Sequence, residues 1–168
     1  IDARDTKKIF LLHCTIFPNL NDPSPIFGYD IVCGPTKVSG AFHDFSMTAD
    51  DAHPMWQWFN DKVATKEWNK QRELPEWGQQ IFSKSMVAIG SVGAEELDRF
   101  IDLGLETLDY YLANLAIDAK EPHDHKVQQN RYCYYQKQNP RTVTSLVHLG
   151  FTEEQAVEYV NTKLFPEL

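Results

Sequence analysis

No apolar run in this chain approaches the roughly 20 residues that a membrane-spanning helix requires. Cysteine is scarce: Cys14, Cys33 and Cys133 are the three present, and none stands in a C-x-x-C pair. Neither a disulfide framework nor a zinc ribbon is therefore expected, and buried free thiols in a reducing cytoplasm are the plain reading. There is no G-x-G-x-x-G, no phosphate loop and no G-x-S-x-G, so a self-contained nucleotide, flavin or serine-hydrolase site finds no support. Positive charge is also short, with 16 Lys and Arg against 24 Asp and Glu and a net charge of -8. That balance argues against a nucleic-acid-binding surface. Apolar residues are not lacking: they make up 42% of 168 residues, enough for one domain with a real core. No internal repeat or low-complexity linker divides the chain.

Residues 8–17, KIFLLHCTIF, read as a strand ended by Pro18 and the Asn19 to Pro25 cluster. IFGYDIVC at 26–33 reads as a second strand before the Gly34-Pro35 turn, and 37–46 as a third. No crossover helix separates the three, so an antiparallel meander is expected. Asp50 and Asp51 can cap a helix over 54–68 starting at Pro54. Residues 71–78 read as irregular and 81–89 as a fourth strand. Leu97, Ile101, Leu105, Leu108, Leu112 and Leu115 recur at spacings of three and four, which predicts an amphipathic helix over 95–118 despite Gly104. A further helix is expected over 124–138, with Pro140 interrupting it or starting the next. Thr152 with Gln155 forms a capping-box pattern opening a helix to about Leu164. Strands first and helices later give an α+β pattern, with helices packed on an antiparallel sheet.

Two ionisable residues lie inside apolar strands, His13 in FLLHCTIF and Asp30 in IFGYDIVC. If the strands are neighbours, parity lets both side chains share one sheet face, although one residue of slip reverses this. A buried Asp needs a partner or ligand, and a His beside it can hold or deliver protons near neutral pH. The plainer alternative is a core histidine bonded to backbone and an Asp in a turn. His123-Asp124-His125 looks like a metal site, but i and i+2 ligands diverge on a helix, and a solvated helix start explains it better. His43, His53 and His148 carry no spacing signal. The thinly spread Lys and Arg residues read as solvated surface unless several converge on a ligand carboxylate.

The string LLHCTIFPNLNDPSPIFGYDIVCGPTKVSGAFHDFS, followed by QRELPEWGQQIFS and YCYYQKQNPR, resembles the ferredoxin-dependent bilin reductase family. The nearest branch is the one that makes phycocyanobilin. The resemblance covers nearly the whole chain in order, with variable stretches near 47–68 and 91–125. It implies a single α/β/α sandwich, with a central antiparallel sheet between helices and biliverdin IXα bound between the sheet and the C-terminal helices. It further implies no bound metal, flavin or nicotinamide, and single electrons from reduced ferredoxin that carry the substrate through bilin radicals while the protein supplies protons. His13 matches the family's pocket histidine in LHC-x-x-FP, and Asp30 the central aspartate in FG-x-DIV-x-GP. Arg72, in QRELP-x-WG, matches a propionate-binding arginine. Arg141 falls where the close branch has a basic residue near the other propionate, and Ser39 and Asn139 match further pocket positions.

Two departures bear on the product. Pro140 replaces an acidic residue that follows the Asn of YC-x5-N and assists protonation in several members. A pocket glutamate used in D-ring vinyl reduction has no counterpart, since counting back reaches Ile1 beside Asp2. The first departure removes that protonation route; the second, the missing glutamate, favours reduction at the bridge between the C and D rings, giving phycoerythrobilin in place of phycocyanobilin. The family also carries more chain ahead of this point, including the first strands, so an N-terminally incomplete sequence is expected. The competing expectations are a bilin carrier without reductase activity and a degenerate structural relative. A cytoplasmic monomer is expected, with no nucleic acid or membrane partner. It would dock acidic ferredoxin on a local basic patch drawn from Lys7, Lys8, Lys37, Arg72 and Arg141.

Overall fold

The computed structural model describes residues 9–46, 53–115 and 125–168, together with the backbone of 2–5. Its centre is a five-stranded antiparallel sheet whose spatial order follows the chain: β1 (Asp2–Asp5), β2 (Phe10–Ile16), β3 (Ile26–Cys33), β4 (Val38–Ser46) and β5 (Val87–Val92). The expected meander is therefore present and longer by a strand at each side. Six helices cover the two faces: α1 (Pro54–Ala64), α2 (Glu76–Gln79), α3 (Ala94–Asn114), α4 (Lys126–Gln136), α5 (Pro140–His148) and α6 (Glu153–Tyr159). A π-helical turn, Val160–Leu164, follows α6.

Register explains how the two faces differ. Cys14, Tyr29, His43 and Val87 are cross-strand partners in one row, and Phe27 pairs with Phe45 beside it. These residues point to the face covered by α1 and α3 and form the main core with Phe59, Phe100, Leu103 and Tyr111. The spacing of Phe100, Leu103, Gly104, Thr107 and Tyr111 turns one stripe of α3 onto the sheet. Gly104 has a packing reason: a Cβ there would lie 2.3 Å from the Tyr29 ring, so only glycine lets the helix come this close.

The neighbouring residues point the other way. Leu11, Val32, Gly40 and Gly90 form one row, His13, Asp30, Phe42 and Ala88 the next, and Thr15, Gly28 and Asp44 a third. This face mixes glycines and polar side chains with Leu11, Val32 and Phe42, where the first is mostly aromatic. A second core, built from Tyr132, Cys133, Leu146, Ala156, Val160 and Phe165 around Ile26 and Ile81, closes it at one end under the helices α2 and α4–α6. The molecule is the three-layer sandwich the resemblance implied.

Several boundaries differ from those read in the sequence. The strand expected over 81–89 begins only at Val87, because Ser83 in the preceding segment gives its backbone N–H to the buried Asp44 carboxylate at 3.0 Å. α1 stops at Ala64, and its cap is His53, whose ring nitrogen accepts from the Met55 N–H. Asp50 and Asp51 lie outside the described residues, as do Lys7, Lys8, His123 and Asp124. Pro140 starts a helix of its own: Asn139 caps α5, its side-chain oxygen accepting from the Arg141 N–H at 3.0 Å. The Thr152–Gln155 capping box forms as read. All three cysteines are free, with Cys14 and Cys133 buried and Cys33 half-buried. No described helix is long and apolar enough to cross a membrane.

Candidate functional site

Between the glycine-bearing sheet face and the helices α2, α4 and α5 lies a cavity of about 660 Å3. That is within the range of sites that enclose a drug-sized ligand. Its wall is mostly apolar, including Leu11, Phe42, Leu74, Trp77, Phe82 and Leu146, and all six site residues anticipated from the sequence line it.

His13 and Asp30 face each other directly across β2 and β3. Their side chains meet in a short contact between His13 Nδ1 and the Asp30 carboxylate. The Asp30 side chain keeps 33% of its surface exposed, so the carboxylate is bonded on one side and reachable from the cavity on the other. Thr15, two residues along the same strand, places its hydroxyl 3.0 Å from His13 Nε2. A hydroxyl both donates and accepts. It therefore gives its proton to a neutral imidazole and receives one from an imidazolium, so that His13 is bonded at both nitrogens in either state. The Phe165 ring packs perpendicular to the imidazole from the helix side, the two ring centroids 5.9 Å apart.

Arg72 reaches the site from beyond the sheet edge. The extended 70–72 segment pairs with β5, the Arg72 N–H donating to Ala88 O at 2.7 Å and Gly90 N–H to Lys70 O at 2.9 Å. The guanidinium then crosses Gly90, donates from Nη2 to Ser39 O at 2.6 Å and lies 5.5 Å from the Phe42 ring centroid. A Cβ at Gly90 would sit 2.6 Å from Arg72 Nε, so this glycine makes room for the side chain. Ser39, the extra residue at the bulge opposite Val32 and Cys33, serves through its carbonyl, while its hydroxyl donates to Val32 O at 2.9 Å. Burial, and then the positive charge of Arg141, pull the Arg72 pKa below its ordinary value. Two guanidiniums close enough to feel each other, with no carboxylate between them as a recorded partner, make a cationic rim suited to two anionic groups.

Three features escaped sequence reading. Asp44, on the same face as Asp30, is fully buried and accepts from Ser46 Oγ at 2.7 Å, from Ser83 N–H and from the Ser83 hydroxyl. Burial raises its pKa to about 6 in spite of those bonds. His43, on the opposite face, donates from Nδ1 to Gly28 O at 2.7 Å and accepts the Thr107 hydroxyl at Nε2, also at 2.7 Å. Its burial lowers the pKa to about 4, so it is a neutral core histidine. Tyr132 and Gln136, four apart on α4 and bonded to each other at 2.8 Å, come from the YCYYQKQNP block and line the cavity. Period two from Phe42 would have placed Asp44 on the Asp30 face, and i, i+4 spacing would have paired Tyr132 with Gln136.

The fold and the cavity thus define a three-layer sandwich protein with a mostly apolar cavity, a bonded His–Asp pair at its base and two arginines in its lining. The family model for ferredoxin-dependent bilin reductase matches residues 3–166, and the chain belongs to that family. Phycocyanobilin:ferredoxin oxidoreductase from Trichodesmium erythraeum is 30% identical over 164 residues, covering 94% of this chain and 66% of the relative. The protein of the same name from Prochlorococcus marinus is 31% identical over 168 residues, covering 94% of this chain and 61% of the relative. The chain therefore spans under two thirds of the length of these curated relatives. The crystal structure of tomato phytochromobilin synthase in complex with biliverdin shares the fold, with a TM-score of 0.73 at 15% identity, covering 96% of this chain and 62% of that one.

Proposed function

We propose that this chain reduces biliverdin IXα to a phycobilin, taking electrons one at a time from reduced ferredoxin in the cytoplasm. Family membership supports the reaction class. The observation that carries the reading is the His13–Asp30 contact at the base of an apolar cavity rimmed by Arg72 and Arg141. Reduction of one conjugated double bond consumes two electrons and two protons. Ferredoxin brings the electrons and no protons, so the pocket has to hold them.

In this reading Asp30 hydrogen-bonds the pyrrole or lactam groups of the bilin and passes a proton to it. Protonation makes the bilin a better electron acceptor, and the radical formed by the first electron is then reduced by the second. His13 returns a proton to Asp30, which delivers it to the bilin as the second proton, and Thr15 keeps the imidazole bonded before and after the transfer. Arg72 and Arg141 hold the two propionates, with Ser39 O fixing Arg72 and Asn139 fixing the first turn of α5 that carries Arg141. Pro140 occupies the first turn of α5 and supplies no acid there. The expectation of bridge reduction and phycoerythrobilin rests instead on the glutamate for D-ring vinyl reduction, with which no glutamate of this sequence aligns. Lys37, in the turn between β3 and β4, belongs to the proposed ferredoxin-docking patch with the arginine rim.

The test is anaerobic absorption spectroscopy of the chain with biliverdin IXα, followed by ferredoxin and a reducing system, with the product identified by chromatography. A red-shifted bound bilin, transient radical bands and a reduced product are expected. Bilin binding without turnover would replace this reading with a carrier, and phycocyanobilin as the sole product would overturn the bridge assignment.

A further inference from the structure

Tyr132 is the buried tyrosine in the lining of the cavity. The side chain is 3% exposed, and its oxygen lies 3.7 Å from where a Gly28 Cβ would be, over the third row of the sheet face and one row from Asp30. Gln136 Nε2 donates to that oxygen at 2.8 Å. An amide N–H only donates, so the phenol must send its own proton elsewhere. Among the described residues no acceptor for it is recorded, although Tyr29 and Tyr111, the other strongly buried tyrosines, donate to the carbonyls of Phe100 and Pro25. A buried donor left without an acceptor costs free energy, and natural interiors rarely tolerate one unless water, an ion or a ligand completes it; beside a ligand cavity, a ligand acceptor can do so. Burial, together with the negative charges of Asp30 and Asp44, pushes the Tyr132 pKa far above its ordinary value. The group thus stays a neutral donor throughout the working pH range.

We propose that the Tyr132 hydroxyl, aimed by Gln136, donates a hydrogen bond to a lactam carbonyl oxygen of the bound bilin and so sets the rotation of the tetrapyrrole over Asp30. The inference rests on the reading of the ligand given above. Its placement follows from the chemistry of an open-chain tetrapyrrole. The propionates stand on the two middle rings and the lactam oxygens on the two outer rings, so in a closed conformation the lactams face away from the propionates. Arg72 crosses the sheet face at the Gly90 row, whereas Tyr132 sits over the Gly28 row, beyond the Asp30 row. With the carboxylates at the arginine rim, an outer-ring oxygen falls on the Tyr132 side. A fixed donor there would decide which bond of the conjugated system lies above the acid, which makes Tyr132 a positioning residue.

The experiment compares biliverdin IXα bound to the unaltered chain, to Tyr132→Phe and to Gln136→Leu, by absorption titration and by the lactam C=O stretch in resonance Raman spectra. Loss of one neutral hydrogen bond predicts roughly 2- to 12-fold weaker binding for Tyr132→Phe. The lactam stretch should move to higher frequency, a shift that a purely structural role would not produce. Gln136→Leu leaves the phenol in place but releases its orientation, and should give a broadened band with smaller loss of affinity. It also provides the reading if Tyr132→Phe melts early in the ligand-free state. An unchanged lactam band in both variants overturns the assignment while the substrate reading stands. Failure of the unaltered chain to bind biliverdin overturns the substrate reading, and this inference with it.

Discussion

Replacing Gly90 by alanine should weaken bilin binding without weakening the fold. Gly90 lies within β5, and among the described glycines only Gly150 has a positive φ, so the backbone at position 90 accepts an L side chain. In a strand interior alanine is favoured over glycine by about 0.5–1 kcal/mol. The added methyl, however, would stand 2.6 Å from Arg72 Nε, 3.3 Å from Nη2 and 3.4 Å from Cζ. Ordinary contact requires the guanidinium to retreat by about 0.8 Å or more. The bond from Nη2 to Ser39 O, now 2.6 Å, would then stretch past the usual hydrogen-bond limit of about 3.2 Å. The alternative is for the side chain to swing off Phe42 into the cavity. In both cases the fork that meets a propionate is misplaced. A charge-assisted hydrogen bond is worth about 1.5–3 kcal/mol, so the dissociation constant for biliverdin should rise roughly 10- to 150-fold. Absorption titration measures the affinity, and thermal unfolding of the ligand-free protein measures the fold. Wild-type affinity in Gly90→Ala would refute the argument that this glycine exists to seat Arg72. Lost affinity accompanied by a large fall in melting temperature would show that the strand, not the arginine, had been disturbed.

Asp30→Asn keeps the shape of the pocket and removes its proton carrier, so bilin should still bind while turnover in the ferredoxin assay falls roughly 10²- to 10⁴-fold; an unimpaired rate refutes the role given to Asp30. Asp44 and His43 predict opposing pH dependences. The folded Asp44 carboxyl holds its proton up to about pH 6, against 3.8 for the ordinary group, so its contribution to stability is fully present below about pH 4 and lost as pH rises through 6. His43 ionises near pH 4 in the fold, against 6.5 for the ordinary group, so its contribution is present above 6.5 and lost as pH falls through 4. Each is worth about 3 kcal/mol at the extremes, and the two largely cancel between pH 4 and 6. Urea unfolding should accordingly show Asp44→Asn gaining about 3 kcal/mol on the parent between pH 4 and 7, and parallel profiles would exclude the buried acid. Gly104→Ala should lower the melting temperature by about 2–12 °C through overpacking against Tyr29, and an unchanged melting temperature would mean that α3 yields at little cost.

The parts of the site that were legible in the sequence are those where a residue type contradicts its local pattern. His13 and Asp30 interrupt apolar strands, and the alternation on either side of them fixes the register that sets them opposite each other, since a one-residue slip would expose Phe27, Tyr29 and Ile31. Pro140 marks a helix break or a helix start for a similarly local reason, and the structure resolves it as the start of α5. What could not be read depends on partners far along the chain. Residues 81–86 carry strand-forming side chains, yet Ser83 bonds to Asp44, 39 positions earlier, and β5 starts late as a result. Nothing within the segment announces that bond. Likewise His43 and Asp44 are sequence neighbours that enter opposite layers, one a neutral core histidine and the other a cavity-lining acid. Only the register of β4 against β3 separates their fates.

The same distinction bears on how the site works. A pocket that must both hold and release protons needs one carboxyl reachable by the ligand and other acids kept out of reach. Among the described residues Asp30 has a single side-chain partner, His13, and it keeps a third of its side chain open. Asp44 stands on the same face but spends both oxygens on Ser46 and Ser83. The two donors from Ser83 hold the segment that carries Phe82 to the cavity wall, and burial keeps the carboxylate from a ligand. Under the proposed function the two acids thus divide the work, Asp30 carrying protons and Asp44 fixing the wall. The division is made by hydrogen-bond partners, since both residues sit on the same sheet face with the same parity.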